Sequence, residues 1–191
     1  MKKIAFILLL AFLSVQAYSQ QKGDLTVGVK GGYVYSPHYY KGGLYGFDVA
    51  YNLSDPFEIV FTGLTNPNIP YQDVNNTKKN LAVYSANLDF RLYLVNLREW
   101  GIGPALGGQY YIVDVTKDSA ASPNLGSNKA LGFNLGIHGR VNLTDNLVIN
   151  GGWRYTNAKA KNNPKWYIAN SSFDMSYNLF YLGLAYTFEL K

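Results

Sequence analysis

The chain has 191 residues, of which 48% are hydrophobic, 16% aromatic and only 15% charged, with 17 Tyr, 10 Phe, 19 Gly and no Cys. The lack of Cys excludes a disulfide scaffold, a zinc finger and thiol chemistry, and scarce charge beside so many rings argues against disorder. A mean hydropathy of -0.10 is far from that of a helical membrane protein, which leaves open where the rings sit.

Met1, Lys2 and Lys3 form a short basic segment, Ile4 to Val15 is almost unbroken apolar sequence, and Ala17-Tyr18-Ser19 puts small residues where a signal peptidase reads. This pattern predicts a signal peptide over residues 1–19, cleaved after Ser19, and one domain over 20–191. The apolar run is shorter than the ~20 residues of a spanning helix. Loss of Lys2 and Lys3 takes the formal charge from +5 to +3. So modest a basic balance gives no case for a nucleic-acid partner.

After that segment the recurring period is two rather than 3.6. From Leu25, one parity carries Leu25, Val27, Val29, Tyr33 and Tyr35, and the other Thr26, Gly28, Lys30 and Gly32. The second strand sets Tyr45, Phe47, Val49 and Tyr51 against Gly46, Asp48 and Ala50; the third sets Phe57, Ile59 and Phe61 against Glu58 and Thr62. In the fourth, Tyr84, Leu88, Phe90 and Leu92 oppose Ser85, Asn87, Asp89 and Arg91. The fifth sets Ile102, Leu106, Tyr110 and Ile112 against Gly103, Ala105, Gly107 and Gln109, with Pro104 on the apolar parity, where its missing donor predicts a bulge. The sixth opposes Leu131, Phe133, Leu135 and Ile137 to Gly132, Asn134, His138 and Arg140. The seventh has Leu147, Ile149, Trp153 and Tyr155 against Asn150, Gly152 and Arg154; the eighth has Phe180, Leu182, Leu184, Tyr186 and Phe188 against Gly183, Ala185 and Thr187.

Across all eight, every charged residue falls on the same parity. Two barrels separate faces in this way, and they are inversions of each other. A soluble barrel needs a charged exterior, whereas the polar parity here is mostly Gly, Ala, Asn, Ser and Thr; the apolar parity is too bulky for a small barrel's interior. A Lys or Arg facing lipid at the midplane costs about 2–4 kcal/mol, so the charges belong inside. The expected fold is all-β, an eight-stranded antiparallel up-and-down transmembrane β-barrel.

The connections support the same reading. Short turns at Ser54-Asp55-Pro56, 96–99 and Thr144-Asp145-Asn146 alternate with long segments at 36–43, 65–80, 114–129 and 157–173. Short periplasmic turns and longer external loops are the pattern of outer-membrane barrels. Tyr33, Tyr35, Tyr45, Tyr84, Tyr110, Trp153 and Tyr155 cluster near the loop ends, and Tyr51, Phe57, Trp100 and Phe188 near the turn ends, as two interfacial girdles.

The closing segment Leu182-Gly183-Leu184-Ala185-Tyr186-Thr187-Phe188, together with Leu143-Thr144-Asp145-Asn146-Leu147 and Gly152-Trp153-Arg154-Tyr155, resembles the small eight-stranded outer-membrane barrels of the OmpA/OmpX type, most of all their short Bacteroidetes versions. The resemblance implies a bacterial outer-membrane location, a monomer in contact with outer-membrane lipid and lipopolysaccharide, and a carboxy-terminal signal read by the barrel assembly machinery. Glu189-Leu190-Lys191 extend beyond the usual final aromatic.

The inward parity supplies a lumen polar cluster of Lys30, Asp48, Asp89, Arg91, His138, Arg140 and Arg154. With Glu58, four cations meet three carboxylates. Near-cancellation in a bore that eight strands fill with side chains predicts a plug of ion pairs; a narrow channel for small solutes is the alternative. Catalysis finds little support, since the only His are His38 and His138, and Ser36 with His38 is the best available match to a lipid A-modifying enzyme. No catalytic group, cofactor or metal is expected. In the loops, eight lysines at 41, 78, 79, 117, 129, 159, 161 and 165 against Asp73, Asp114 and Asp118 leave a net +5. Lys159, Lys161, Lys165 and Trp166 are the candidates for docking anionic lipopolysaccharide phosphates.

Overall fold

A computed structural model describes residues 23–36, 41–72, 78–116, 127–160 and 173–190. Eight long strands follow in chain order: β1 (Leu25–Tyr35), β2 (Lys41–Ser54), β3 (Phe57–Gln72), β4 (Lys78–Leu92), β5 (Trp100–Thr116), β6 (Ser127–Asn142), β7 (Leu147–Ala160) and β8 (Tyr177–Phe188). Two-residue ladders at Val95–Asn96 and Phe173–Asp174 extend the pairing beside β5 and β7. Each strand pairs antiparallel with the next, and β8 pairs with both β7 and β1, so the sheet closes on itself. Closure removes both edges, which lets every ladder donor and acceptor be satisfied where there is no water.

Within the spans read from sequence the parity analysis is borne out, while the strand extensions toward the loops add Lys41, Lys129 and Lys159 on the outward parity, and Trp153 and Tyr155 are half-buried. Lys30, Asp48, Glu58, Asp89, Arg91, Arg140 and Arg154 are all at most 6% exposed, whereas Leu131, Val29 and Leu182 on the other parity are 78%, 66% and 65% exposed. Tyr33, Tyr35, Tyr45, Tyr84 and Tyr110 stand exposed toward the loop ends, and Tyr51, Phe57, Trp100 and Phe188 toward the turns. The interior is tight enough to demand glycine at its inward positions. A Cβ on Gly46 would lie 1.8 Å from the Gly63 carbonyl oxygen, and one on Gly103 1.7 Å from that of Leu92.

Two local features follow from proline. Between the pairs Arg91–Ala105 and Val95–Ile102, the β4 side carries one residue more than Gly103-Pro104 opposite it, which is the bulge expected of a strand lacking one donor. Pro104 keeps unbroken register with Ile137 on its other side. In β3, the register shifts between Asn66 and Ile69, around Pro67. The Asn66 side chain spans the break, donating to the Gly43 carbonyl at 2.5 Å and accepting from the Asn68 amide at 2.8 Å.

The long connections differ from expectation. The segment read as a loop over 65–80 is largely a continuing hairpin, with Gln72 paired to Lys78. β5 runs on to Thr116, β6 begins at Ser127, and β7 reaches Ala160. Toward the loop ends the inward face is itself apolar, with Ile69, Val83 and Val113 buried, so the ladder persists where the apolar-polar alternation has stopped.

Candidate functional site: a filled lumen beneath a basic rim

Strand pairing brings the inward charges together in three ion pairs. Glu58 on β3 and Arg91 on β4 are directly opposed, and Arg91 Nη1 lies 3.0 Å from Glu58 Oε2. Lys30 on β1 reaches Asp48 on β2 at 2.9 Å. Arg154 on β7 crosses the bore to Asp89 on β4 at 3.1 Å. All six side chains are at most 7% exposed. Inside so confined a bore a charge without a partner would be costly, and pairing offsets that cost.

His138 ties these pairs together. Arg91 can only donate, so its Nη1, 3.2 Å away, makes His138 Nε2 the acceptor; Nδ1 then carries the ring proton and donates to the Tyr181 hydroxyl at 3.0 Å. Tyr93 donates to Glu58 at 3.2 Å, and the Arg140 guanidinium lies 4.3 Å from the Tyr93 ring centre while donating to Asn96 Oδ1 at 2.6 Å. Lys30 sits 4.8 Å from the centre of the Tyr181 ring. Every residue of the predicted lumen cluster is therefore inside and partnered. Glu58, Tyr93 and Tyr181 belong with them, and their inward parity was the signal for it.

Above the charges lies an amide and hydroxyl layer. Asn134 donates to Asp89 at 3.0 Å and accepts from Thr156 at 2.9 Å, and Tyr177 donates to Gln109 at 2.7 Å. Higher still the inward face turns apolar: Val34, Leu44, Leu64, Ile69, Val83, Tyr111, Val113, Met175 and Leu179 belong to one buried cluster at the loop end of the strands. Sequence reading did not foresee this stopper. Its sign was present in the inward parity, which becomes apolar toward the loop ends at Val34 and Tyr111. Among the polar side chains, the cavity bordered by Glu58, Arg91, Tyr93, His138 and Arg140 has ≈ 10 Å³, room for about one water.

The outer rim carries the remaining candidates. Lys41, Lys129 and Lys159 are exposed at the loop ends of β2, β6 and β7, on the same parity as the lipid-facing rings. Lys161, Lys165 and Trp166 lie outside the described residues, as does His38. Ser36 is 5% exposed, and its hydroxyl donates to the Ser176 carbonyl at 2.9 Å. It is turned inward rather than toward the lipid interface. Among the described residues no group of three or more His, Cys, Asp or Glu could hold a metal.

Residues 5–188 match the family described as outer membrane protein beta-barrel domain. The chain belongs to this outer-membrane β-barrel family. No curated protein sequence matches it. Among solved structures, the barrel is similar to OprG from Pseudomonas aeruginosa, with 12% identity and a TM-score of 0.59 over 92% of this chain and 100% of that one. Neisserial surface protein A follows at 14% identity and 0.55, over 86% and 96%. The Ail protein of Yersinia pestis, in complex with the heparin analogue sucrose octasulfate, aligns at 16% and 0.51 over 88% and 100%. At these identities the likeness shows a shared fold, and this outer-membrane barrel takes its individual character from its own lumen and rim.

Proposed function

We propose that this outer-membrane barrel is a non-catalytic, non-conducting protein that works at the cell surface as a structural element and a docking platform for anionic glycans and lipid phosphates. The observation that carries the reading is the filled lumen: buried ion pairs, an amide layer and an apolar stopper leave ≈ 10 Å³ beside the charges. With the bore occupied, the exposed surface available for partners is the outer rim, where Lys41, Lys129 and Lys159 are exposed. Lys161, Lys165 and Trp166 continue that basic stretch in sequence. A polyanionic partner is also compatible with this fold, since Ail has been determined with a heparin analogue.

The test is lipopolysaccharide binding to a variant combining Lys159→Ala, Lys161→Ala and Lys165→Ala. Affinity at low salt should fall by about tenfold or more, and the difference should shrink as salt screens it. Full affinity in the triple variant would defeat the docking role.

The amino-terminal segment fits the same location. We propose that residues 1–19 are a cleaved export signal, so that Edman degradation of protein purified from the outer membrane starts at Gln20. A mature chain beginning at Met1 would contradict this.

A further inference from the structure

The outward face is notched across β2, β3, β4 and β5. Along the lipid-facing row, Phe47, Gly63, Ala86 and Tyr110 are successive cross-strand neighbours on β2, β3, β4 and β5. Two small residues therefore stand between two rings. The rows on either side are filled by Phe61 and Leu88 toward the turns and by Tyr45 and Tyr84 toward the loops. The resulting apolar groove has a volume of ≈ 310 Å³, within the ~300–1,000 Å³ typical of small-molecule pockets. Phe47 lies over Gly63, where an added Cβ would meet its ring edge at 2.8 Å.

Position and charge identify the occupant. The groove lies directly below the loop-end tyrosine girdle, so it opens to the outer leaflet. Its upper wall includes Ile112, and the cross-strand partner of Ile112 is the exposed Lys129 on β6. Neighbouring strands are ~4.8 Å apart, within reach of a lysine side chain. A cation thus stands at headgroup level beside an apolar slot that descends from it.

We infer that the Gly63–Ala86 groove seats one acyl chain of a phosphorylated outer-leaflet lipid whose phosphate pairs with Lys129. The ammonium selects anionic headgroups, and the groove gives the chain a surface walled by the Phe47, Tyr84 and Tyr110 rings. The inference rests on the outer-membrane orientation; it shares Lys129 with the basic rim but does not depend on Lys159, Lys161 or Lys165.

Native mass spectrometry of the full folded protein in detergent, titrated with bis-phosphorylated lipid A, tests it. One lipid should be retained per chain. Lys129→Ala should weaken retention about fivefold, and Ala86→Phe, which fills the slot, about tenfold or more. Phosphatidylethanolamine of matched chain length should bind less well than lipid A. Equal retention by both variants, or equal binding of the zwitterionic lipid, overturns the inference. Leu184→Phe, on β8 and away from the groove strands β3 and β4, should retain lipid A like the parent; loss there overturns it too. If the loop triple variant alone loses lipopolysaccharide while both groove variants keep lipid A, the groove fails and docking stands; the reverse result fails docking alone.

Discussion

Arg91→Ala is expected to lower the unfolding free energy in detergent by about 3–5 kcal/mol, the cost of removing one partner from a buried ion pair. The loss exceeds a single contact, because Arg91 holds Glu58 at 3.0 Å and donates to His138 at 3.2 Å. Glu58 is 4% exposed and would be left as a buried carboxylate still accepting from the Tyr93 hydroxyl. Replacing both partners together, as Glu58→Leu with Arg91→Met, should recover much of the stability, since no charge is then stranded. Urea titrations followed by tryptophan fluorescence supply the comparison; a single variant as stable as the parent would refute the role given to the pair.

The same variant separates the two layers that fill the bore. In planar bilayers the parent protein should show no stable openings. Arg91→Ala should remain closed as well, because the cluster of Val34, Leu44, Leu64, Ile69, Met175 and Leu179 lies above the altered layer and apolar constrictions block ions by dewetting. Reproducible openings in the parent would overturn the occluded lumen. Openings that appear only in the variant would locate the seal in the ion pairs and refute the apolar stopper.

Leu106→Arg should destabilise the barrel by about 2–4 kcal/mol in a bilayer, the cost of a cation at the lipid-facing midplane. Leu106 is 49% exposed and lies on β5 between Trp100 in one girdle and Tyr110 in the other. An exposed substitution of this kind on a water-soluble barrel changes stability by only about 0.5 kcal/mol. Folding into lipid vesicles, read by equilibrium denaturant titration, decides between them. A change within that smaller range would place this face in water and invert the fold.

Much of the architecture was legible because a membrane barrel writes its two solvents into alternate residues. Lys30, Asp48, Asp89, Arg91, Arg140 and Arg154 share a parity across five strands, and that regularity identified inside and outside without any coordinate. Pro104 marked its own bulge for an equally local reason, the missing donor. The hairpin beyond Thr65 was not legible, since the register shifts around Pro67 and the inward face there is apolar, with Ile69 and Val83 buried, so the alternation that marks the rest of β3 and β4 is lost.

Partners within the lumen lay further out of reach. Glu58 and Arg91, 33 residues apart, lie on consecutive strands and were the more accessible pair. Arg154 and Asp89 meet only because the closed sheet carries β7 across the bore from β4. The stopper likewise gathers Val34, Leu64, Tyr111 and Leu179 from strands spread over the whole chain, and the outer groove exists only where Gly63 and Ala86 fall into one row. Sequence by itself determined the solvent of each face, because burial in lipid or lumen acts on single residues at a period of two. Closure and register, which depend on the pairing of whole strands, decided which charges neutralise one another, what fills the bore, and where the outer surface is notched.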